Sequence, residues 1–383
     1  MKGRFTLKVI NLDKITEYLE GLVRAGVPSV DCIVMQDHKQ IYRHTAGTAD
    51  AARTQPVSQD QLYLMFSMTK VQTMTALMTL VEQGKVSLTD PVGKYLPAYN
   101  DLMVETPEGA VPAKTPLLLW HLVSMQSGLD YDLGRPGIVR VLKERGAQAT
   151  TREIVDAFTE SPLKFEPGSH FLYSLSHDVV AAVIEVVTGM TFGEYLKQTI
   201  WEPAGMKNTF FAKPDNAGLP RLAQQWICNE RGEIVTMEQT CNYQLSDAYE
   251  SGGAGLISCA ADYALLGDML ACGGTAANGS VILRPESVEL IKKNLLGETS
   301  RRDIAMTMGR VGYGYGVGMQ VLMEPEKIGS TSPAGVFGWD GAAGSCVTMD
   351  TASKTALIYI EHVRNHGTSY GEIHPTLRDL VFG

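Results

Sequence analysis

The chain lacks the marks of several large protein classes. It has no run of apolar residues long enough to cross a bilayer. Its opening stretch, MKGRFTLKVINLDKITEYLEGLV, has basic residues but neither an apolar core nor a small-residue cleavage site, so a secretory leader is not expected. The six cysteines, Cys32, Cys228, Cys241, Cys259, Cys272 and Cys346, form no C-x-x-C pair and no framework spacing. That pattern argues against a disulfide scaffold and predicts reduced, mostly buried thiols in a cytoplasmic protein. The eight histidines give no H-E-x-x-H or comparable spacing, and no acidic cluster suggests Mg²⁺. The glycine-rich segments lack the strand, spacing and lysine of a phosphate loop, so neither a metal nor a nucleotide cofactor is expected. Net charge is −9 with the signs interspersed, which leaves no basic patch for nucleic acid or an anionic membrane surface.

What is present is an ordinary globular composition in a chain of 383 residues, enough for two lobes or one domain with a large insertion. An amphipathic stretch from Leu12 to Val23 predicts a first helix. Two β-rich runs follow, SVDCIVMQD and QIYRHTAG, separated by a turn at His38-Lys39. A second helix begins at Ser67, with apolar residues at Val71, Met74, Leu77, Met78 and Val81 and Gly84 as its C-cap. Residues 91–245 read mostly as helix and loop. After SGGAGLIS a helix, ADYALLGDMLACGG, leads into the strand-like runs YGYGVGMQVLM, GVFGWDG, SCVTMD and TALIYIEHV, and a short helix near Pro375 to Val381 ends the chain. The expected fold is mixed α/β of the α+β type. An antiparallel sheet flanked by helices is built from residues 1–90 and 246–383, and an all-helical lobe at 91–245 is inserted between them.

The chemistry concentrates at Ser67-Met68-Thr69-Lys70. Three-residue spacing on a helix puts Ser67 and Lys70 on one face, and the positive end of the helix favours an alkoxide and an oxyanion there. The pattern alone is weak, because Ser161-Pro162-Leu163-Lys164 matches it inside a proline-containing loop, and because a serine at a helix start is often only a cap. A second competing signal, Gly367-Thr368-Ser369-Tyr370-Gly371, fits the nucleophile elbow of α/β-hydrolases. It fails on topology, since too few residues follow for an acid and a histidine, and His374 is too close in sequence.

The surroundings of Ser67 resemble the family of class C serine β-lactamases, DD-peptidases and family VIII carboxylesterases. FSMTKVQTMTALMTLVEQGKVSLTDPVGKYLP is similar to the family's nucleophile helix, and HLVSMQSGL to the stretch that follows it. FEPGSHFLYSLSHDVVAAVIEVVTGM resembles its tyrosine segment, SGGAGLISCAADYALLGDML its second glycine-rich segment, and FGWDGAAG its third motif. These run in the family's order from about residue 60 to 360. The resemblance implies that Ser67 is acylated with help from Lys70 and Tyr173, whose phenol is expected to have its pKa lowered by nearby positive charge. It also places the backbone N–H groups of Ser67 and Ala342 as an oxyanion hole.

Two departures bear on the substrate. The family's Tyr-x-Asn stands here as Tyr173-Ser174-Leu175, and its Lys-Thr-Gly or His-Thr-Gly as Trp339-Asp340-Gly341. Leu175 cannot hold an amide and Trp339 cannot meet a carboxylate, whereas Trp-x-Gly resembles the carboxylesterase branch. Leu175, Trp339 and Gly341 are thus expected to line the substrate site, with Asp340 pointing to solvent from an edge strand and Arg364 able to restore the missing cation. The reading is a hydrolase of small carboxylic esters. A β-lactamase or D-amino-acid peptidase, an acyltransferase and a non-catalytic binding relative are the alternatives.

Overall fold

In the computed structural model, which describes residues 10–213, 216 and 218–383, the two ends of the chain meet in one seven-stranded sheet. The two β-rich runs near the start become β1 (Ser29–Gln36) and β2 (Lys39–Gly47). They are joined by Asp37 and His38, both at positive φ, which places the turn one residue earlier than its sequence suggests and gives it the twist of a tight hairpin. The late runs become β3 (Tyr313–Tyr315), β4 (Gln320–Leu322), β5 (Phe337–Asp340), β6 (Cys346–Asp350) and β7 (Thr355–Ile360). Spatial order is β3-β4-β5-β6-β7-β1-β2, with every neighbouring pair antiparallel.

Every residue of β1 and β7 is buried, because both faces of the sheet centre are covered. Alternate residues divide between two cores. Val30, Cys32, Val34, Leu357 and Tyr359 pack with α1 (Leu12–Arg24) and the C-terminal helix through Ile15, Leu19, Leu377 and Val381. Ile33, Met35, Ala356 and Ile358 face the other way, into the larger core with α2 (Thr69–Glu82) and the helix Ala260–Ala271. The helix α2 is buried almost all round, so its apolar stripe understates its position. Its threonines are tolerated there because Thr73, Thr75 and Thr79 return their hydroxyls to the carbonyls of Thr69, Val71 and Ala76. It ends at Gln83 and Gly84, the latter at φ +67°.

The stretch between contains the helices Leu119–Val123, Pro136–Arg145, Thr151–Asp156 and α3 (Ser176–Thr188), which pack on one another, α3 also on α2. Short strands at Phe210–Phe211 and Trp226–Cys228 pair with Leu256–Ser258 and Val363–Arg364. The late helices are α4 (Ala260–Ala271), α5 (Glu298–Met308) and α6 (His374–Phe382). Among the described residues no single helix is long and apolar enough to cross a membrane.

One expectation fails here for a topological reason. Asp340 was expected on an edge strand facing solvent, but β5 lies between β4 and β6, and Asp340 is only 8% exposed. Its carboxylate pairs with Arg310, from the loop after α5. A buried carboxylate needs such a partner, and no local pattern announces one 30 residues away.

Close approach of α4 to the sheet depends on Gly267. A Cβ there would stand 3.1 Å from Val347 and 3.2 Å from Ala356. Gly267→Leu is expected to lower stability by about 1–3 kcal/mol, the usual penalty of overpacking, as read by urea unfolding. An unchanged midpoint would mean that this contact is loose.

Candidate active site

A short strand, Tyr63–Leu64, delivers the chain to a 3₁₀ turn at Phe66–Met68 that runs directly into α2. Ser67 therefore sits on the turn just ahead of the helix, not at its first residue. Phe66 before it has φ +46°, a conformation a bulky buried side chain adopts only when its surroundings impose it. Lys70 lies one turn on, fully buried. Its Nζ is 3.3 Å from Ser67 Oγ, 2.7 Å from the Tyr131 hydroxyl and 2.7 Å from the Gly253 carbonyl oxygen.

Burial pushes the Lys70 amine down to about pKa 7, opposed by the charges of Asp178 and Asp340. In its neutral form the amine has two N–H groups and one lone pair. The two short contacts use the N–H groups, so the lone pair is left for the Ser67 hydroxyl.

Tyr173 is placed by aromatic packing. Its ring lies 5.4 Å from Trp339, which in turn meets Tyr315 edge to face at 5.1 Å. The Trp339 Nε1–H donates to the Tyr173 hydroxyl at 3.1 Å. The expected lowering of its pKa is reversed. Burial raises it above the ordinary phenol value, and the hydrogen bond from Trp339 offsets this only in part, so Tyr173 stays protonated.

After β5 the chain turns at Gly341–Gly344. A side chain at Gly341 would strike the Met65 carbonyl, so glycine alone lets this turn lie against the Ser67 segment. Tyr370 donates to the Gly341 carbonyl at 2.8 Å, and the Ala342 N–H has no backbone partner among the described residues. Ser67, Tyr173, Trp339, Ala342, Arg310 and Tyr370 line a cleft of about 330 Å³.

Not every expected residue reaches it. Leu175 is 3% exposed, immediately precedes α3 and turns into the helical core, so its expected place in the substrate site is corrected. Arg364 lies over the Phe66 ring at 4.9 Å and does not line the cleft. The cation on the wall is Arg310, already paired with Asp340. Sequence reasoning missed Tyr131, whose only signal was its place just after HLVSMQSGL.

The competing serines are built differently. Ser369 is fully buried and shares the Glu361 carboxylate with His366, which makes a cluster behind the Gly341–Gly344 turn and not an accessible nucleophile. Lys164 pairs with Glu105 at 2.8 Å, away from Ser67. One trio, His38, Asp268 and Cys272, has metal-ligating atoms within 4.8 Å of one another. Asp268 there already accepts from the backbone and ring of His38, which suits a turn cap.

Residues 13–379 match the family model described as Beta-lactamase. Esterase EstB of Burkholderia gladioli is 28% identical over 380 residues, spanning 91% of this chain and 89% of its own length. Protein Rv1367c of Mycobacterium tuberculosis is 27% identical over 362 residues, 92% of this chain and 90% of its own. Of solved structures, EstCE1, described as a hydrolase with promiscuous acyltransferase activity, superposes with a TM-score of 0.79 at 24% identity. It covers 97% of this chain and 99% of its own, and at that identity it speaks to the fold.

A fluorophosphonate is expected to label Ser67 and to leave Ser161 and Ser369 untouched, with a rate that rises as the pH passes about 7. The sign follows from Lys70, whose lone pair is free only above its lowered pKa. Peptide mapping after labelling at several pH values is the check. Label on Ser369, or a rate flat across neutral pH, would contradict it.

Proposed function

The chain belongs to the β-lactamase family and is a hydrolase of that fold, and from that premise we propose that it cleaves small carboxylic esters through an acyl-enzyme on Ser67. The observation that carries the reading is the indole of Trp339 in the Ser67 cleft, its N–H spent on the Tyr173 hydroxyl. Neutral Lys70 takes the Ser67 proton while Oγ attacks the ester carbonyl. The N–H groups of Ser67 and Ala342 hold the oxyanion. The protonated Tyr173 gives its proton to the departing alkoxide and is restored from the Lys70 ammonium. Water then repeats the sequence in reverse and releases the acid.

Substrate class follows from charge. A penicillin-like molecule brings a carboxylate into the cleft, and a buried ion without a partner is strongly disfavoured. Arg310 is neutralised by Asp340, and Arg364 is engaged with Phe66 outside the lining. Uncharged esters avoid that penalty. A second reading is transfer of the acyl group to an alcohol or amine, which would use the same acyl-enzyme with that nucleophile in place of water. We assign the enzyme to the reducing cytoplasm on the strength of its six unpaired cysteines.

For p-nitrophenyl acetate or butyrate, kcat/KM is expected to exceed that for nitrocefin by at least about a hundredfold, as the cost of an unpaired buried charge implies. Ser67→Ala should abolish both activities. Lys70→Ala and Tyr173→Phe should lower kcat by about two to four orders of magnitude with little change in KM. Steady-state kinetics decides, and nitrocefin turnover as fast as that of the esters would displace the ester reading.

A further inference from the structure

The glycine-rich segment 251–255 has no task in the steps above, yet it leads to a buried carboxylate. Asp178 sits in the first turn of α3, fully shielded from solvent. Its Oδ1 accepts from the Tyr249 hydroxyl at 2.7 Å, the Ser251 hydroxyl at 2.6 Å and the Gly253 backbone N–H at 3.3 Å. Its Oδ2 has no hydrogen-bond partner. All three donors come from one five-residue stretch, so the carboxylate folds that stretch around itself.

The stretch in turn offers two carbonyls to α2. Gly252 accepts from the Thr73 hydroxyl at 2.6 Å, and Gly253 accepts from Lys70 at 2.7 Å. A side chain at 253 would stand 2.6 Å from Asp178 Oδ2 and 3.3 Å from the Tyr131 hydroxyl, so a glycine there lets carboxylate, phenol and amine converge.

We infer that Asp178 is a positioning residue for Lys70: it fixes the Gly253 carbonyl that holds the amine, and it supplies the buried negative charge against which the ammonium forms when Ser67 gives up its proton. A carboxylate in the interior with one oxygen unpartnered is costly unless a cation compensates it. No cation pairs directly with Asp178 among the described residues, and Lys70 lies just across Gly253. The other groups facing Lys70 do not serve. Ser67, Tyr131 and Tyr173 are neutral donors and acceptors, and Tyr249 is a protonated phenol raised by burial. His177, on the same turn of α3, is kept neutral by burial, and Asp340 is already paired with Arg310. Asp178 is also the foremost charge favouring the protonated amine, ahead of Asp340.

The inference rests on Lys70 acting as the base, and the test separates the two. Asp178→Asn keeps the shape and the Oδ1 acceptor but removes the charge. With p-nitrophenyl butyrate, kcat is expected to fall at least about tenfold with KM nearly unchanged, and the ascending limb of the kcat–pH profile to move to lower pH, because the ammonium loses its counter-charge. A purely structural role would lower kcat and leave the limb in place, which would overturn the inference, as would full activity. If Lys70→Ala is as active as the parent, the reading of the whole site fails. If Lys70→Ala is inactive while Asp178→Asn is unaltered, only the role of Asp178 fails. Circular dichroism and a melting curve accompany each variant. Should Asp178→Asn not fold, Ser251→Ala keeps the charge but frees one anchor of the loop. It is expected to lower kcat severalfold with the limb unmoved, and a parental kcat there would overturn the inference.

Discussion

A lysine amine carried into the interior must find a partner for each N–H and for its lone pair and must not meet a carboxylate directly, and the rest of the site is arranged around that requirement. Contact with an acid would lock Lys70 as the ammonium and rule out the base role proposed for it. Its partners are instead a hydroxyl, a phenol and a peptide carbonyl, from the Ser67 turn, the loop at Tyr131 and the glycine-rich segment at Gly253. Three remote parts of the chain are thereby held to one nitrogen. The carboxylates that temper its loss of charge are kept at a remove, Asp178 behind a backbone carbonyl and Asp340 behind its own arginine.

The aromatic wall follows the same logic. Where related enzymes are expected to use a cation to meet the substrate, Trp339 directs its only polar atom at Tyr173. In the proposed mechanism the residue orients the proton donor instead of holding a ligand. Tyr315 across its face and Tyr131 beside the phenol leave Tyr173 little freedom to turn, so the position of the hydroxyl is decided by packing before any substrate arrives.

Ser67, Lys70, Tyr173 and Trp339 were legible because each sits in a local pattern and the patterns occur in a recognisable order. The strands of the central sheet were legible from their β-branched and aromatic runs, and α2 from its spacing. What could not be read depends on distant partners or on burial. Tyr131 gains its meaning from Lys70, 61 positions away, and Asp178 from Gly253, 75 positions away. Asp340 was misplaced because the order of strands in a sheet is not written along any one strand. The direction of the Tyr173 pKa was misjudged because it turns on desolvation, which a list of charged neighbours does not contain. Leu175 sits in the right motif, yet the start of α3 rotates it into the core.

The pairing of β1 with β7 also governs when the molecule can exist. Asp31 lies opposite Ile360, so the inner neighbour of β1 is made only after more than three hundred further residues. At about 5–20 residues per second, that is a wait of roughly a quarter-minute to a minute on the ribosome. A lone two-stranded hairpin is marginally stable in water, so the apolar side chains of β1 spend that time without a finished sheet around them. The nascent chain is exposed to aggregation and open to chaperones throughout. The helix that begins after Ser67 packs into the same core as β1 and β7, so Ser67 acquires its setting only when the last strands have emerged.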